Sequence, residues 1–285
     1  MTDFTTTNTT AANASPATPD RTPRRVRHDL RFRKLTVKAT QRVTPHLIRI
    51  TLTGDDLAGF TSPGFDDHAK IFFPDAATGQ LTLPTAGPDG PVWPASGRPT
   101  MRDYTPRHHD AKANTLDIDF ALHEAGPATQ WAEQAKPGDI VGVGGPRGSF
   151  IVPTEFDWHL LIGDDTALPA IHRRLAELPA GARVVVLAEV DSEADHIPFD
   201  TRADLTLQWV HRRGTEPGLS PVLVDALKAM KLPAGDFHAW VGCESAIAKA
   251  LRAHLVGERG ANPKWTRASG YWRRGAAATH DSHDE

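Results

Sequence analysis

Between Leu30 and Phe156 apolar and polar positions alternate in short runs, and glycine or proline breaks each run. RFRKLTVKAT, HLIRITLTG, HAKIFFP, MRDYTP, NTLDIDFAL and GDIVGVGG all carry this period of two. On a pleated strand that period sends one set of side chains to a core and the other to solvent. Together the segments predict a small antiparallel barrel. One helix, over GPATQWAEQA, interrupts it.

From Asp157 the rhythm changes. HLLIG, RVVVLAEV, LTLQWV and FHAWVG are richer in apolar residues and read as strands of the buried type. Helical patterns follow three of them. DDTALPAIHRRLAEL places Ala167, Ile171, Leu175 and Leu178 on one face, and SAIAKALRAHL repeats Ile247, Leu251 and Leu255 every fourth residue. SPVLVDALKAM begins with Ser220 as an N-cap and Pro221 at the first helical position. Strand alternating with helix implies a parallel sheet with crossover helices. The expected fold class is therefore β plus α/β. An antiparallel barrel domain spans 30–156 and a parallel-sheet α/β domain spans 157–275, with disordered segments over 1–29 and 276–285.

Composition narrows the function classes. With 285 residues the chain can bury two cores. A net charge of -3 gives no overall attraction to nucleic acid or to an anionic membrane. No apolar run approaches the roughly 20 residues that span a bilayer. The polar N-terminal stretch, rich in Thr, Asn, Ala and Pro, is no secretory signal. A lone cysteine, Cys243, excludes an internal disulfide and fits a reducing cytoplasm, where a monomer is expected.

The chemistry concentrates in a few segments. In RPTMRDYTPRH, a strand sends Arg102 and Tyr104 to one face and Thr105 and Arg107 to the other. Arginine forks suit phosphate and a tyrosine ring suits a flat partner, so a planar cofactor bearing phosphates would use this strand. GVGGPRG imitates a dinucleotide fingerprint, yet Arg147 stands where the third glycine belongs and a strand pattern follows. A turn between strands is the better account. In HEAGPATQWAEQ, Gly126 and Pro127 open a helix whose free amides at Ala128 and Thr129 can meet pyrophosphate. LLIGDDTALPAI sets Asp164, Asp165, Thr166 and Ala167 at a strand-to-helix junction, and Cys243 and Glu244 end the last apolar strand. His108, His109 and the terminal HDSHDE lack metal-site context, so no metal is expected.

Arg102-x-Tyr104-Thr105-x-Arg107, FALHEAGPATQWA, GDDTALPAI and GYWRRG together resemble the siderophore-interacting proteins, flavin-dependent ferric-siderophore reductases of the ferredoxin-reductase-like superfamily. The resemblance covers Leu30 to Gly275 and departs at VGCES, where a small-residue Ala-Gly-Glu run is expected. It implies FAD held by Arg102, Tyr104, Thr105, Arg107, His123 and the Gly126, Pro127, Ala128 and Thr129 turn. Tyr104 would stack on the isoalloxazine and Thr105 would serve its N5 edge. Asp164, Asp165, Thr166, Ala167, Glu244 and Trp272 would line the nicotinamide side. Lys70, Arg147, Arg273 and Arg274 would face an anionic ferric siderophore, the substrate, without ligating its iron. An acid in AEVDSEAD can hold a ribose hydroxyl and makes NADH the expected donor, whereas Arg212 and Arg213 could instead accept the 2′-phosphate of NADPH, and ferredoxin is a further donor. The implied activity is NAD(P)H-dependent, FAD-mediated ferric-siderophore reduction. The alternatives are a flavoprotein that binds iron chelates without turnover, and a general flavin or electron-transfer reductase.

Overall fold

A computed structural model describes residues 20–88, 90–95, 97–122, 126–275 and 281–282. In the N-terminal half run β1 (Arg24–Arg27), β2 (Phe32–Thr44), β3 (Leu47–Thr53), β4 (Ala69–Phe72), β5 (Thr85–Gly87), β6 (Gly90–Val92), β7 (Met101–Tyr104), β8 (Pro106–Asp110) and β9 (Thr115–Ala121). α1 (Pro127–Gln134), β10 (Ile140–Gly144) and β11 (Gly148–Ile151) complete it. Seven strands form one sheet in the order β7-β4-β10-β2-β3-β9-β8. β7 and β8 are separated in the chain by Thr105 alone, yet they stand at opposite edges. The sheet must therefore curl until its edges nearly meet, which is the predicted barrel. Its interior holds Leu35, Val37, Ile50, Ile71, Leu116, Ile118 and Val141. Gly142 and Gly144 of the decoy motif sit in β10 because Phe72 crosses both, and a Cβ at Gly144 would come 2.8 Å from that ring.

The second half contains β12 (Trp158–Gly163), α2 (Leu168–Glu177), β13 (Arg183–Val190), β14 (Asp204–His211), α3 (Val222–Ala229), β15 (Phe237–Glu244), α4 (Ser245–Glu258), β16 (Thr266–Trp272) and β17 (Asp281–Ser282). The sheet order is β14-β13-β12-β15-β16-β17, with the first five strands parallel. Order reverses between β12 and β15, and a crevice opens at such a switch point outside the carboxyl ends of the strands. α2 covers one face through Leu168, Ile171 and Leu175. Leu223, Leu227, Leu251 and Leu255 of α3 and α4 cover the other. Each of these side chains is at most 1 % exposed. No helix among the described residues is long and apolar enough to cross a membrane.

Two strands lie inside segments expected to be disordered. β1 pairs with β11 in an antiparallel ribbon, and β17 pairs with the end of β16. Both are made by backbone hydrogen bonds, so RRVR needed no apolar alternation to form a strand. β8 was also absent from the predicted set, because its PRHHD sequence has the polarity of a loop. Pro221 caps α3 instead of starting it, with Ser220 Oγ accepting from Val222 N at 3.3 Å.

The halves are joined by polar contacts that are buried or part-buried. Arg173 of α2 donates to Ser62 Oγ (2.9 Å), the Ser62 carbonyl (2.6 Å) and the Pro106 carbonyl (3.0 Å). Asp66 accepts from Trp240 Nε1 (3.1 Å) and Arg267 Nε (2.9 Å). His46 Nδ1 lies 3.0 Å from the Asp195 carboxylate, and with Asp191 these form the one grouping of metal-ligand type among the described residues.

Candidate active site

Tyr104 and α1 are tied together by rings. The Tyr104 ring packs on Phe120 at 4.3 Å, Phe120 packs on Trp131 of α1 at 5.8 Å, and Phe73 meets Trp131 at 5.3 Å. Burial drives the Tyr104 phenol well above its ordinary pKa and keeps it neutral. Arg102 shares its face, and its partner among the described residues is the Met101 carbonyl at 2.8 Å. α1 starts at Gly126 with no side-chain cap, and a Cβ placed there would meet nothing within 4 Å. Open amides, an arginine and a half-buried ring backed by aromatics fit a flavin dinucleotide: pyrophosphate at the helix start, ring system against Tyr104. His123 lies outside the described residues.

Thr105 is 6 % exposed and sits where the curled sheet meets the α/β half, beside the Tyr271 hydroxyl of β16. Tyr271 in turn packs edge-on against Trp240 at 5.9 Å. The neighbouring Trp272 ends β16 and donates its indole N–H to Asp164 Oδ2 at 2.8 Å. The same oxygen accepts from Glu244 N at 3.1 Å, and the other accepts from Thr166 N at 3.0 Å and Thr166 Oγ1 at 2.5 Å. One buried carboxylate thus fastens the carboxyl ends of β12, β15 and β16, at the switch point. Gly163 permits this: a Cβ there would collide with Ala167 and stand 2.8 Å from the Gly242 carbonyl. Glu244 caps α4, accepting from Ala246 N (2.6 Å) and Ile247 N (3.2 Å).

Asp165 does not face solvent. Its carboxylate pairs with Arg212 at 2.8 Å, and Arg212 also reaches Glu189 at 3.4 Å. Two carboxylates, Asp165 and Glu189, therefore share one buried guanidinium, with the Asp164 charge nearby. Burial and then the Asp164 charge push the Glu189 carboxyl up to about 8, so Glu189 is the one that retains a proton near neutrality. The folded state holds that proton up to about pH 8, whereas an unfolded glutamate releases it near 4.5. Stability falls as pH rises through this window, because the folded state binds more protons there. Glu189→Gln, neutral throughout, is expected to be more stable than the parent at pH 8 by about 1 kcal/mol or more. Urea titrations should show the gap closing toward pH 5.

The candidate substrate cations fall into two groups, Lys70 and Arg147 on the curled sheet and Arg273 and Arg274 just after Trp272. Lys70 pairs with Asp103 at 2.8 Å, and strand register puts both on the opposite sheet face from Arg102 and Tyr104. Gly144 lies across from Lys70, which brings the exposed Arg147, at the β10–β11 turn, to the same end of the sheet. Arg273 is exposed, and Arg274 pairs with Glu216 at 2.9 Å. Arg107 lies apart from both groups, 3.1 Å from Asp119, which Arg49 also binds at 2.7 and 2.8 Å. It lines a cleft of about 330 Å³ with Ser62, His108, His172 and Arg173. Sequence reasoning missed Glu189, the clamp made by Arg173 and the role of Asp66. Nothing local marks them, since each acts on a residue more than twenty positions away.

Two family models match the chain: the siderophore-interacting FAD-binding domain over residues 36–150 and the siderophore-interacting protein over residues 156–275. The chain is 39% identical over 256 residues to the NADPH-dependent ferric-chelate reductase of Escherichia coli, covering 88% of this chain and 97% of that one. It is 36% identical over 236 residues to the ferric vibriobactin reductase ViuB of Vibrio cholerae, covering 82% and 86%. A solved siderophore utilization protein from T. fusca superposes with a TM-score of 0.85 at 39% identity, over 92% of this chain and 99% of that one.

Proposed function

The chain belongs to the siderophore-interacting protein family, and we propose that it is an FAD-dependent reductase moving electrons from NADPH to a ferric siderophore. One observation carries the reading: Thr105, next to Tyr104 in the curled sheet, meets Tyr271 of the α/β half, whose neighbour Trp272 is tied to Asp164 at the switch point. A flavin beside Tyr104 and Thr105 and a nicotinamide at the switch point would therefore be neighbours.

Arg102 and the Ala128 and Thr129 amides would hold the pyrophosphate, and Tyr104, packed on Phe120, would orient the ring system. Thr105 offers its hydroxyl at the reactive edge. Asp164 fixes the Trp272 indole and so shapes the nicotinamide side. FAD, when bound, would supply the conversion the reaction needs: it takes two electrons as one hydride and gives them up singly, as ferric iron requires. Lys70, Arg147, Arg273 and Arg274 attract the anionic chelate, whose hard oxygen donors keep Fe(III) and loosen on Fe(II). The enzyme works as a monomer in the cytoplasm, where the buried Cys243 stays reduced. Ferredoxin is the alternative donor.

Under anaerobic conditions NADPH should bleach the yellow protein and a ferric siderophore should restore the colour. In the K70A/R147A/R273A variant the bleaching rate should hold, while recolouring by an anionic chelate slows roughly 10–100-fold at sub-saturating chelate. Bleaching without recolouring in the parent would favour a flavoprotein that binds chelates without turnover. Recolouring that never saturates with chelate, alongside brisk dye reduction, would favour a general reductase.

A further inference from the structure

We infer that the cleft between β8 and α2, at the seam of the two halves, is a binding site for a small polycarboxylate anion. β8 contributes Pro106, Arg107 and His108, and α2 contributes His172, Ala176 and Glu177. The volume is about 330 Å³, at the small end of ligand pockets. The flavin, nicotinamide and chelate sites proposed above draw on none of these groups.

The cleft holds a guanidinium whose hydrogen bonds the protein leaves unmade. Arg49 Nε and Nη2 donate to the two Asp119 oxygens at 2.7 and 2.8 Å. Arg107 comes second to the same acid: its Nε stands 3.1 Å from Asp119 Oδ2, buried and without a hydrogen bond. Among the described residues its Nη atoms bond to nothing either. One carboxylate therefore faces two cations, and Arg107 is the surplus. Arg173 is no substitute, because Ser62, the Pro106 carbonyl and Glu177 occupy it. The Arg173–Glu177 pair also offsets the acid in the lining. Asp110 and Asp117, the other acids nearby, accept from Ala113 N and Thr51 Oγ1.

His172 stands at the same cleft from the α2 side. Burial and then the Arg107 and Arg49 charges hold its imidazole down to about 4, against Asp200 and with His108 adding to the push. The two guanidiniums thus outweigh the acid, and the ring is neutral at neutral pH. An anion held by Arg107 would reverse that field and raise the imidazole's affinity for a proton. A guanidinium fork matches one carboxylate bidentately, and the His172 ring and the 59% exposed His108 can serve a second. Pro106 and Ala176 give the lining an apolar portion for the methylenes between carboxylates, which inorganic phosphate lacks. Arg107 belongs to the barrel half and His172 to the α/β half. The bound anion would therefore bridge the seam that Arg173 already clamps.

Calorimetry of the FAD-loaded protein with propane-1,2,3-tricarboxylate and with inorganic phosphate tests the site without turnover. The parent should bind one tricarboxylate per chain, and bind it more tightly than phosphate. Arg107→Gln should weaken the tricarboxylate roughly 10–100-fold, while K70A/R147A/R273A binds it as the parent does. Glu177→Gln should tighten it several-fold, a gain that simple loss of structure would not give. Arg107 also supports Asp119, so proton NMR of His172 in the parent provides a readout free of that variant. The His172 titration should move up by roughly 1–3 pH units with saturating tricarboxylate. Absence of binding by the parent, equal affinity for phosphate, or binding that survives Arg107→Gln and fails in K70A/R147A/R273A overturns the inference. A His172 titration that the tricarboxylate leaves in place does the same.

Discussion

Arg102→Ala should bind added FAD roughly 10–100-fold more weakly than the parent, the loss of one charge-assisted contact of ~1.5–3 kcal/mol. The cause is local. Arg102 stands on the Tyr104 face of β7, and its partner among the described residues is the neighbouring Met101 carbonyl. Little of the protein depends on it, so the melting temperature of the flavin-free variant should match that of the flavin-free parent. Quenching of FAD fluorescence on titration into stripped protein measures the affinity. An unchanged dissociation constant would remove Arg102 from the flavin site. Arg107→Ala is the useful contrast. Its guanidinium serves Asp119 beside Arg49, so that variant should lose stability before it loses flavin.

Asp66→Ala should cost roughly 3 kcal/mol of stability, among the larger effects of any single exchange in this chain. Asp66 is 9% exposed, and one of its oxygens accepts from both the Trp240 indole and the Arg267 guanidinium. The acid belongs to the first half and both donors to the second. Alanine takes the acceptor from two donors at once and leaves a cation beside an apolar wall formed by Phe150, 4.6 Å from the guanidinium carbon. Asp66→Asn keeps one neutral acceptor and should lose less. Urea melts of the three proteins would show the order, and equal midpoints would deny Asp66 its part in joining the halves.

The elements that were legible share one property: their pattern is local. β2, β3, β4, β7, β9 and β10 alternate because one face of each meets the barrel core, and β12, β13 and β15 are apolar throughout because helices cover both faces. α2 and α4 carry their buried stripes at helical spacing. β1, β8 and β17 were not legible, since backbone pairing makes them, with a remote strand for β1 and with the neighbouring strand for β8 and β17, and their sequences are largely polar. The arginines divide in the same way. Arg212 and Arg213 are adjacent and chemically identical, but one is sealed against Asp165 and Glu189 and the other stands in water. Only the packing of β13, β14 and the turn after β12 tells them apart.

The sequence by itself determined two rhythms, hence two architectures in one chain, and it determined the motifs to which we assign the flavin. Periodicity and short-range spacing encode those, because each strand or helix answers to its own neighbours along the backbone. The tertiary structure decided which charges face each other. Asp164 became a junction of three strand ends, Glu189 came to hold a proton, and Lys70 came to lie across the sheet from Tyr104. Burial and the sum of nearby charges fix a side chain's state, and both are supplied by residues remote in sequence that folding alone brings within a few ångströms.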